Sequence, residues 1–322
     1  VVVRILKAGE NKLIVRFLNA ASIVFKTISF IHLKIKSIKQ KKYDKIVVLS
    51  IDNLSFGGTG KTAMAVEVGG NLQAAGMPFA VVSRGYKSKH EKTGLAVEPH
   101  HRADEVGDEA KLLKTRFPGR DILIGKNRHE SIKKAILAKN RVVILDDGFQ
   151  STGISKDIKV MLFNPRHPYY YLRNFKFLMK NEDYILFYDP QGKTGKNNTY
   201  HFEMENFYDI NGNIVELKNF ALFGFSALGD NRRFKKDLSA FNLIGFKSYQ
   251  DHYAFTEKDI EYLNKRRKES QAAYLVCTEK DFVKLMDYNL DNTPLIYGKN
   301  VIKYNIDLTG IILKYAAKKK AD

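Results

Sequence analysis

The sequence predicts an α/β fold: a mostly parallel sheet covered by helices, followed by a second, smaller α/β lobe. Three observations predict it. Apolar runs alternate with helix-like segments from residue 46 to residue 163, which is how a parallel sheet buried on both faces is encoded. A glycine-rich turn joins the first apolar run to the first helical segment. A polar, turn-rich stretch at residues 191–200 then interrupts the pattern, and a similar alternation resumes from Ala221 to Tyr315. A chain of 322 residues is long enough for two domains that each bury a core.

Taken in order, Ile46–Ile51, Phe79–Ser83, Ile122–Ile124, Val142–Leu145 and Val160–Phe163 read as buried strands. Thr62–Ala75, Asp108–Arg116 and Arg128–Ala138 read as the helices between them. His201–Met204 and Ile214–Leu217 are short strand candidates flanking Asn211-Gly212-Asn213, a hairpin signal, so a β-ribbon linker is expected there. Beyond it, strands are expected at Ala221–Phe225, Ala273–Thr278 and Leu295–Tyr297, and helices at Arg232–Leu238 and Thr256–Lys268. The lysine-rich end, Lys314–Lys320, reads as a frayed tail. The expected division is an N-terminal segment at 1–40, a first domain at 41–190, a linker with a β-ribbon at 191–219 and a smaller C-terminal α/β domain at 220–322.

The turn is Ser55-Phe56-Gly57-Gly58-Thr59-Gly60-Lys61-Thr62. Between a strand and a helix, this pattern is a phosphate cradle. Glycines let backbone N–H groups converge on phosphate oxygens, the following helix points its positive end at the same charge, Lys61 reaches the outer phosphates and Thr62 can hold Mg2+. The usual spacing has glycine where this chain has Ser55. The sheet is therefore expected to be P-loop NTPase-like and to bind a nucleoside triphosphate such as ATP.

The net charge is +19, which by itself fits nucleic acid, an anionic membrane or a phosphorylated substrate. Its distribution is more informative. Residues 1–45 carry eleven Lys or Arg against Glu10 and Asp44, interleaved with Leu13, Phe17, Ile23, Phe25, Ile28 and Phe30. That is the make-up of an amphipathic helix in a membrane interface. Arg16 and Lys26 interrupt the apolar stretch short of a crossing helix. Two other readings stay open: a basic helix packed on the domain surface, and a signal peptide ending near Asn19-Ala20-Ala21-Ser22, although export would separate the loop from its nucleotide. Cys277 is the single cysteine, so no intrachain disulfide forms, and a reducing cytosolic setting fits.

Val142-Val143-Ile144-Leu145-Asp146-Asp147 is an apolar strand ending in two carboxylates, the arrangement that brings an acid to a metal beside a phosphate loop. In Gly107-Asp108-Glu109 the local reading is a helix cap at Asp108, with Glu109 favouring the dipole. Arg84, after the second strand, meets a phosphate or pairs with a surface acid, and Arg128, opening a helix, carries the same ambiguity. His252, in Asp251-His252-Tyr253, reads locally as a surface or capping histidine, and Thr278 as the cap of the helix after it.

The order of these motifs, Asn53 to Thr62, Ser83 to Tyr86, Val106 to Glu109, Asp146 to Gln150, Asp251 to Tyr253 and Thr278 to Asp281, resembles the tetraacyldisaccharide 4′-kinase family of lipid A biosynthesis. The likeness runs from about residue 13 to 285, and Phe225–Asp230 followed by Arg233-Phe234 resembles that family's second-domain loop. The resemblance implies transfer of the ATP γ-phosphate to the 4′-hydroxyl of a tetraacyldisaccharide 1-phosphate at the cytoplasmic face of the bacterial inner membrane. It implies two α/β/α lobes joined by a β-ribbon hinge, with an N-terminal hydrophobic helix that meets the bilayer. It implies that residues 55–62 bind ATP, that Thr62, Asp146 and Asp147 serve Mg2+, and that Asp108 is the catalytic base with His252 as partner and Lys61 on the phosphates. Arg84, Arg128 and Arg173 resemble phosphate or substrate contacts. The chain departs from the family pattern at Asp52, Ala110, Ser151 and Asn174, the last in the pair Arg173-Asn174 where Arg-Glu is common.

The expected partners are the lipid substrate and the inner-membrane surface, with neither nucleic acid nor an obligate protein partner. A reading from another class is a P-loop protein that couples nucleotide binding to partner assembly without a lipid acceptor. A third, a nucleic-acid binder drawn by the charge, is countered by the apolar residues interleaved with the basic ones in the arm.

Overall fold

The computed structural model describes residues 12–36, 39–55, 58–86, 88–149, 151–192 and 197–319. Arg4, Lys7 and Glu10 of the basic arm, Phe56 and Gly57 of the loop, and Gln150 lie outside the described residues. In chain order the strands are β1 (Val47–Asn53), β2 (Phe79–Ser83), β3 (Leu95–Ala96), β4 (Asp121–Ile124), β5 (Val142–Asp146), β6 (Ile158–Phe163), β7 (Tyr184–Tyr188), β8 (Thr199–Asp209), β9 (Leu222–Ser226), β10 (Leu243–Ser248), β11 (Tyr274–Thr278) and β12 (Leu295–Tyr304). The helices are α1 (Lys12–Lys36), α2 (Lys61–Ala74), α3 (Ala103–Val106), α4 (Asp108–Arg116), α5 (Arg128–Leu137), α6 (Asn231–Leu238), α7 (Glu257–Glu269), α8 (Glu279–Leu285) and α9 (Leu308–Lys318).

These strands form one twelve-stranded sheet in the order β10-β9-β11-β12-β8-β7-β6-β1-β5-β2-β4-β3. Pairing is parallel except at two places, β3 with β4 and β8 with β12. β1 is the hub of the first lobe: every residue is buried, and it pairs in parallel with β5 on one side and β6 on the other. The strand order reverses there, which opens a crevice beyond the carboxyl ends of β1 and β5. Val47, Leu49 and Ile51 face one core with Met64, Val68 and Leu72 of α2, while Val48 faces another with Ile132 and Ala135 of α5. This alternation is why the run reads as apolar on both faces.

The ribbon differs from its expected pairing. β8 is an eleven-residue strand whose partner is β12, antiparallel, from Tyr200↔Tyr304 to Asp209↔Ile296. Ile214 makes only an isolated bridge to Tyr208. The Asn211-Gly212-Asn213 turn does form, with Gly212 at φ 85 and the Asp209 side chain accepting from Asn211 and Asn213. The ladder beyond it goes to a strand nearly a hundred residues away, so the two lobes share a sheet through β8 and β12.

The second lobe has its own core, in which Phe225, Leu275, Cys277 and Phe282 pack together. The chain then returns to the first lobe. Ile302, Leu308, Ile312 and Ala316 belong to the β1 core. The expected frayed tail is therefore helix α9 up to Lys318, and Lys319 Nζ donates to the carbonyls of Tyr43 and Ile46 at 2.6 and 2.7 Å and pairs with Asp157 at 2.6 Å. The run of lysines hid an amphipathic helix whose apolar side is Leu308, Ile312 and Ala316.

Helix α1 is the one helix among the described residues long and apolar enough to cross a membrane. Its burial is the reverse of an ordinary amphipathic helix on a protein surface. Leu13, Phe17, Ile28 and Ile35 point outward, while Ser22, Lys26 and Leu33 are buried against the body.

Candidate active site

The carboxyl ends of the strands in both lobes converge on one cleft of about 1280 Å³. From the first lobe come Lys61 and Thr62 beyond β1, Arg84 after β2, and Asp146 and Asp147 at the end of β5; from the second come His252 after β10 and Lys280 after β11.

Gly60 sits at φ 96, a left-handed conformation that the loop needs to turn its backbone into α2. A Cβ there would meet the Phe202 ring of β8, with Cε1 2.8 Å away, so the position is closed to side chains by both conformation and space. Asn53, at the tip of β1, ties the loop together: its Nδ2 donates to Thr59 Oγ1 at 2.8 Å and its Oδ1 accepts from Lys61 Nζ at 3.2 Å. Ser55 is buried and bridges Leu172. Thr62, in the first turn of α2, donates through Oγ1 to Asp146 Oδ2 at 3.1 Å.

The two neighbouring aspartates are in different electrostatic states. Burial, then Glu109, push Asp146 up to about 7. Asp147, at φ 58, turns its carboxylate to Arg173, which holds it by two hydrogen bonds of 3.0 and 3.2 Å. Burial alone would raise Asp147, but Lys61, Arg173 and Arg128 outweigh it and hold the acid well below the usual carboxylate range. Arg173 also reaches the backbone carbonyl of Asn53 at 3.0 Å and the Asn53 side-chain oxygen. It is thus a strut between the phosphate loop and the end of β5.

Arg128 is buried and donates to the Asp147 carbonyl at 3.2 Å. Arg84 lines the cleft but pairs with Glu91 at 2.6 Å, the surface-acid alternative of the sequence reading. Asp52, where the family pattern has glycine, is buried; it accepts from Ser50 Oγ at 2.6 Å and from the Phe149 amide, so it braces the backbone beyond the Asp pair.

Asp108 is not a helix cap. Gly107 occupies the cap position of α4 with no side-chain hydrogen bond, and Asp108 is the first helical residue. Its carboxylate faces across the cleft: Oδ2 lies 3.1 Å from His252 Nδ1 and 4.0 Å from Lys284 Nζ. Burial raises its pKa less than His252, Lys284 and Lys280 together lower it, so the group is held below the ordinary aspartate value. His252 has φ 57, a left-handed conformation uncommon outside glycine that histidine enters more readily than most side chains. That backbone turn directs the imidazole to Asp108 rather than to a helix end. Thr278 does cap α8, accepting from the Asp281 amide at 3.2 Å, and this presents Lys280 and Lys284 to the first lobe. Lys280 meets Glu109 at 3.4 Å.

Sequence reasoning left out Asn53, Glu109, Lys280 and Lys284. Three lay inside motifs used for another purpose, Asn53 in Asn-Leu-Ser before the loop, Glu109 beside Asp108 and Lys280 in Thr278 to Asp281, while Lys284 lies beyond the last of these motifs. Phe202 had no local signal, because only the β8 pairing brings it to Gly60.

No group of three or more His, Cys, Asp or Glu able to hold a metal occurs among the described residues. The Thr62 hydroxyl and the Asp146 carboxylate, 3.1 Å apart at the head of α2, are the kind of hard oxygen pair that Mg2+ takes together with phosphate oxygens and water. The donor set fits magnesium arriving with a nucleotide better than a resident metal.

Comparison with known proteins identifies the family and the fold. The LpxK family, Tetraacyldisaccharide-1-P 4'-kinase, matches residues 14–313. The tetraacyldisaccharide 4'-kinase of Desulfotalea psychrophila is 28% identical over 308 residues, 84% of this chain and 87% of that protein. That of Rickettsia peacockii is 30% identical over 256 residues, 75% of this chain and 78% of that protein. The crystal structure of the "apo" form of LpxK from Aquifex aeolicus in complex with ATP shares the fold with a TM-score of 0.73 at 24% identity, covering 95% of this chain and 99% of that one. With a family match over nearly its whole length, the chain belongs to the LpxK family of tetraacyldisaccharide-1-P 4′-kinases.

Proposed function

We infer that the protein transfers the γ-phosphate of ATP to the 4′-hydroxyl of a tetraacyldisaccharide 1-phosphate, with the chemistry in the cleft between the lobes. The observation that carries this reading is the Asp108–His252 pair facing the cleft that Lys61 and Thr62 also line. Residues 58–62 receive the phosphates, with backbone amides and the start of α2 supplying positive potential and Lys61 supplying a full charge. Thr62 and Asp146 are the residues that would hold Mg2+, which when bound neutralises charge on the phosphates.

Phosphoryl transfer needs in-line positioning and charge neutralisation more than covalent chemistry. In this reading the 4′-oxygen bonds to the γ-phosphorus as the bond from that phosphorus to the bridging oxygen breaks. ADP leaves, and the hydroxyl proton passes to Asp108. His252 orients that carboxylate and shares its charge. Asp147 is held by Arg173 and so acts on the loop's shape, while Arg128 fixes the backbone of the Asp pair. Lys280 and Lys284 add positive charge where the transferring phosphoryl group carries negative charge.

The substrate carries four acyl chains, so a membrane-surface site fits it. The outward apolar face of α1 and the charge of +19 support peripheral attachment to an anionic cytoplasmic leaflet. The test is transfer of labelled phosphate from ATP to the disaccharide 1-phosphate in detergent. Wild type is expected to transfer, with Lys61→Ala and Asp108→Ala strongly impaired. Absence of transfer by wild type across magnesium and detergent conditions refutes the reading, and ATP turnover stimulated by a protein but indifferent to lipid would favour the assembly alternative.

A further inference from the structure

We propose that Lys26 is a positioning residue for the phosphate loop: it seats α1 on residues 169–177, and that same segment delivers Arg173 to the loop. The proposal rests on the reading of the cleft as the nucleotide site.

Helix α1 is docked by its polar stripe. Lys26 is fully buried, its Nζ 2.7 Å from the Tyr169 carbonyl and 3.3 Å from Ser22 Oγ, with the ammonium over the Tyr169 ring. A buried ammonium persists only where hydrogen bonds replace its water, and a lysine amid apolar helix residues marks a specific contact rather than a greasy one. About one turn farther along, Ser29 Oγ donates to Asn174 Oδ1 at 2.8 Å, and Phe30 packs edge-on against Phe175 and Phe177. Asn174, which stands where the family pattern has glutamate, is buried and engaged by α1.

Between these two anchors the segment turns its other side to the loop. Leu172 bridges Ser55, the Arg173 amide donates to the Leu54 carbonyl at 2.6 Å, and the Arg173 guanidinium holds Asn53 and Asp147. Residues 169 to 175 are thus a thin wall with α1 on one face and the phosphate loop on the other. The seat of α1 and the shape of the loop are coupled through it, because the paired hydrogen bonds of Arg173 tolerate little displacement. A helix whose apolar face lies in lipid therefore also sets the nucleotide site.

The test uses the full chain and reads KM for ATP separately from kcat. Lys26→Met, which keeps the stem but loses the donor, is expected to raise KM for ATP about tenfold with little change in kcat. Lys26→Arg restores part of the loss, and Ile28→Ser on the outward face leaves KM for ATP unchanged. A merely structural role would lower kcat through loss of folded enzyme at constant KM; that result, or an unchanged KM in folded Lys26→Met, overturns the proposal. If Lys26→Met fails to fold, Ser29→Ala reads the same wall through Asn174: a KM raised about threefold supports the coupling and an unchanged KM overturns it. Wild-type enzyme without saturable dependence on ATP overturns the nucleotide reading itself, and the proposal with it.

Discussion

His252 Nδ1 lies 3.1 Å from Asp108 Oδ2 although 144 residues separate them, and each comes from a different lobe. The contact spans the cleft between the lobes. It makes the second lobe part of the catalytic apparatus in this reading, rather than a cover over the first.

The pair yields a pH prediction. Asp108 is held below the ordinary aspartate value against the effect of burial, by His252 first and then Lys284 and Lys280. A base works deprotonated, so rate is lost as pH falls through its folded pKa. Removing His252 leaves burial less opposed, the pKa rises, and the acid limb of kcat moves to higher pH. His252→Ala is expected to lower kcat about a hundredfold, with KM for ATP little changed. A pH–rate profile of the variant that superimposes on wild type would exclude His252 from the reaction.

Asp146 gives a prediction of opposite sign. Burial and Glu109 push it up to about 7, so in the ligand-free protein it keeps a proton that the unfolded chain has released. The stability it contributes is present below the ordinary aspartate value and is lost as pH rises through about 7. Asp146→Asn removes that loss. The ligand-free variant should melt higher than wild type at about pH 8, where each kcal/mol shifts Tm by roughly 2–4 °C, and the gap should close in mild acid. Activity should fall about a hundredfold in the same variant. A variant less stable than wild type at high pH would show that the carboxylate is not strained by its surroundings.

The parts of this molecule that were legible in the sequence are the ones written locally. β2 and α4 fall at their expected boundaries because each is a single apolar run or periodic stretch ending at a turn residue, and the loop is legible because Gly60 must adopt a backbone that only glycine takes easily. The ribbon partner was not legible, since Asn211-Gly212-Asn213 signals a turn but not which strand completes the ladder. Lys26 misled for a related reason. A lysine in an apolar helix reads as an interruption, and only the Tyr169 carbonyl, 143 residues away, makes it an anchor. Asp108 and His252 each had a sufficient local explanation, so their pairing came only with the fold and, beforehand, with the family resemblance.

Gly60→Ala is expected to fail twice. Its φ of 96 disfavours any side chain, and a Cβ would press on the Phe202 ring. The left-handed conformation alone costs about 1–2 kcal/mol, and the contact adds to it. Phe202→Ala should relieve the contact but not the conformation, so the double variant should recover part of the stability and little of the ATP affinity. Full recovery of both would mean that the ring, not the backbone, restricts the loop.

Arg116 and Glu279 form an ion pair between the lobes, Nε to Oε1 at 2.6 Å and Nη2 to Oε2 at 2.8 Å, with both side chains mostly buried. They stand at the end of α4 and the start of α8, the helices that carry Asp108 and the two lysines facing it. The charge-assisted hydrogen bond from Nη2 and the low exposure make this pair stronger than a surface bridge. A double-mutant cycle with Arg116→Ala and Glu279→Ala should give a coupling energy of about 1–3 kcal/mol in denaturant unfolding. Either single variant should also lower kcat, because a loosened clasp lets His252 recede from Asp108 while leaving the phosphate loop intact. The charge swap Arg116→Glu with Glu279→Arg should recover part of the rate. Additive effects in the cycle, together with wild-type kcat in both single variants, would mean that closure of the cleft depends on other contacts.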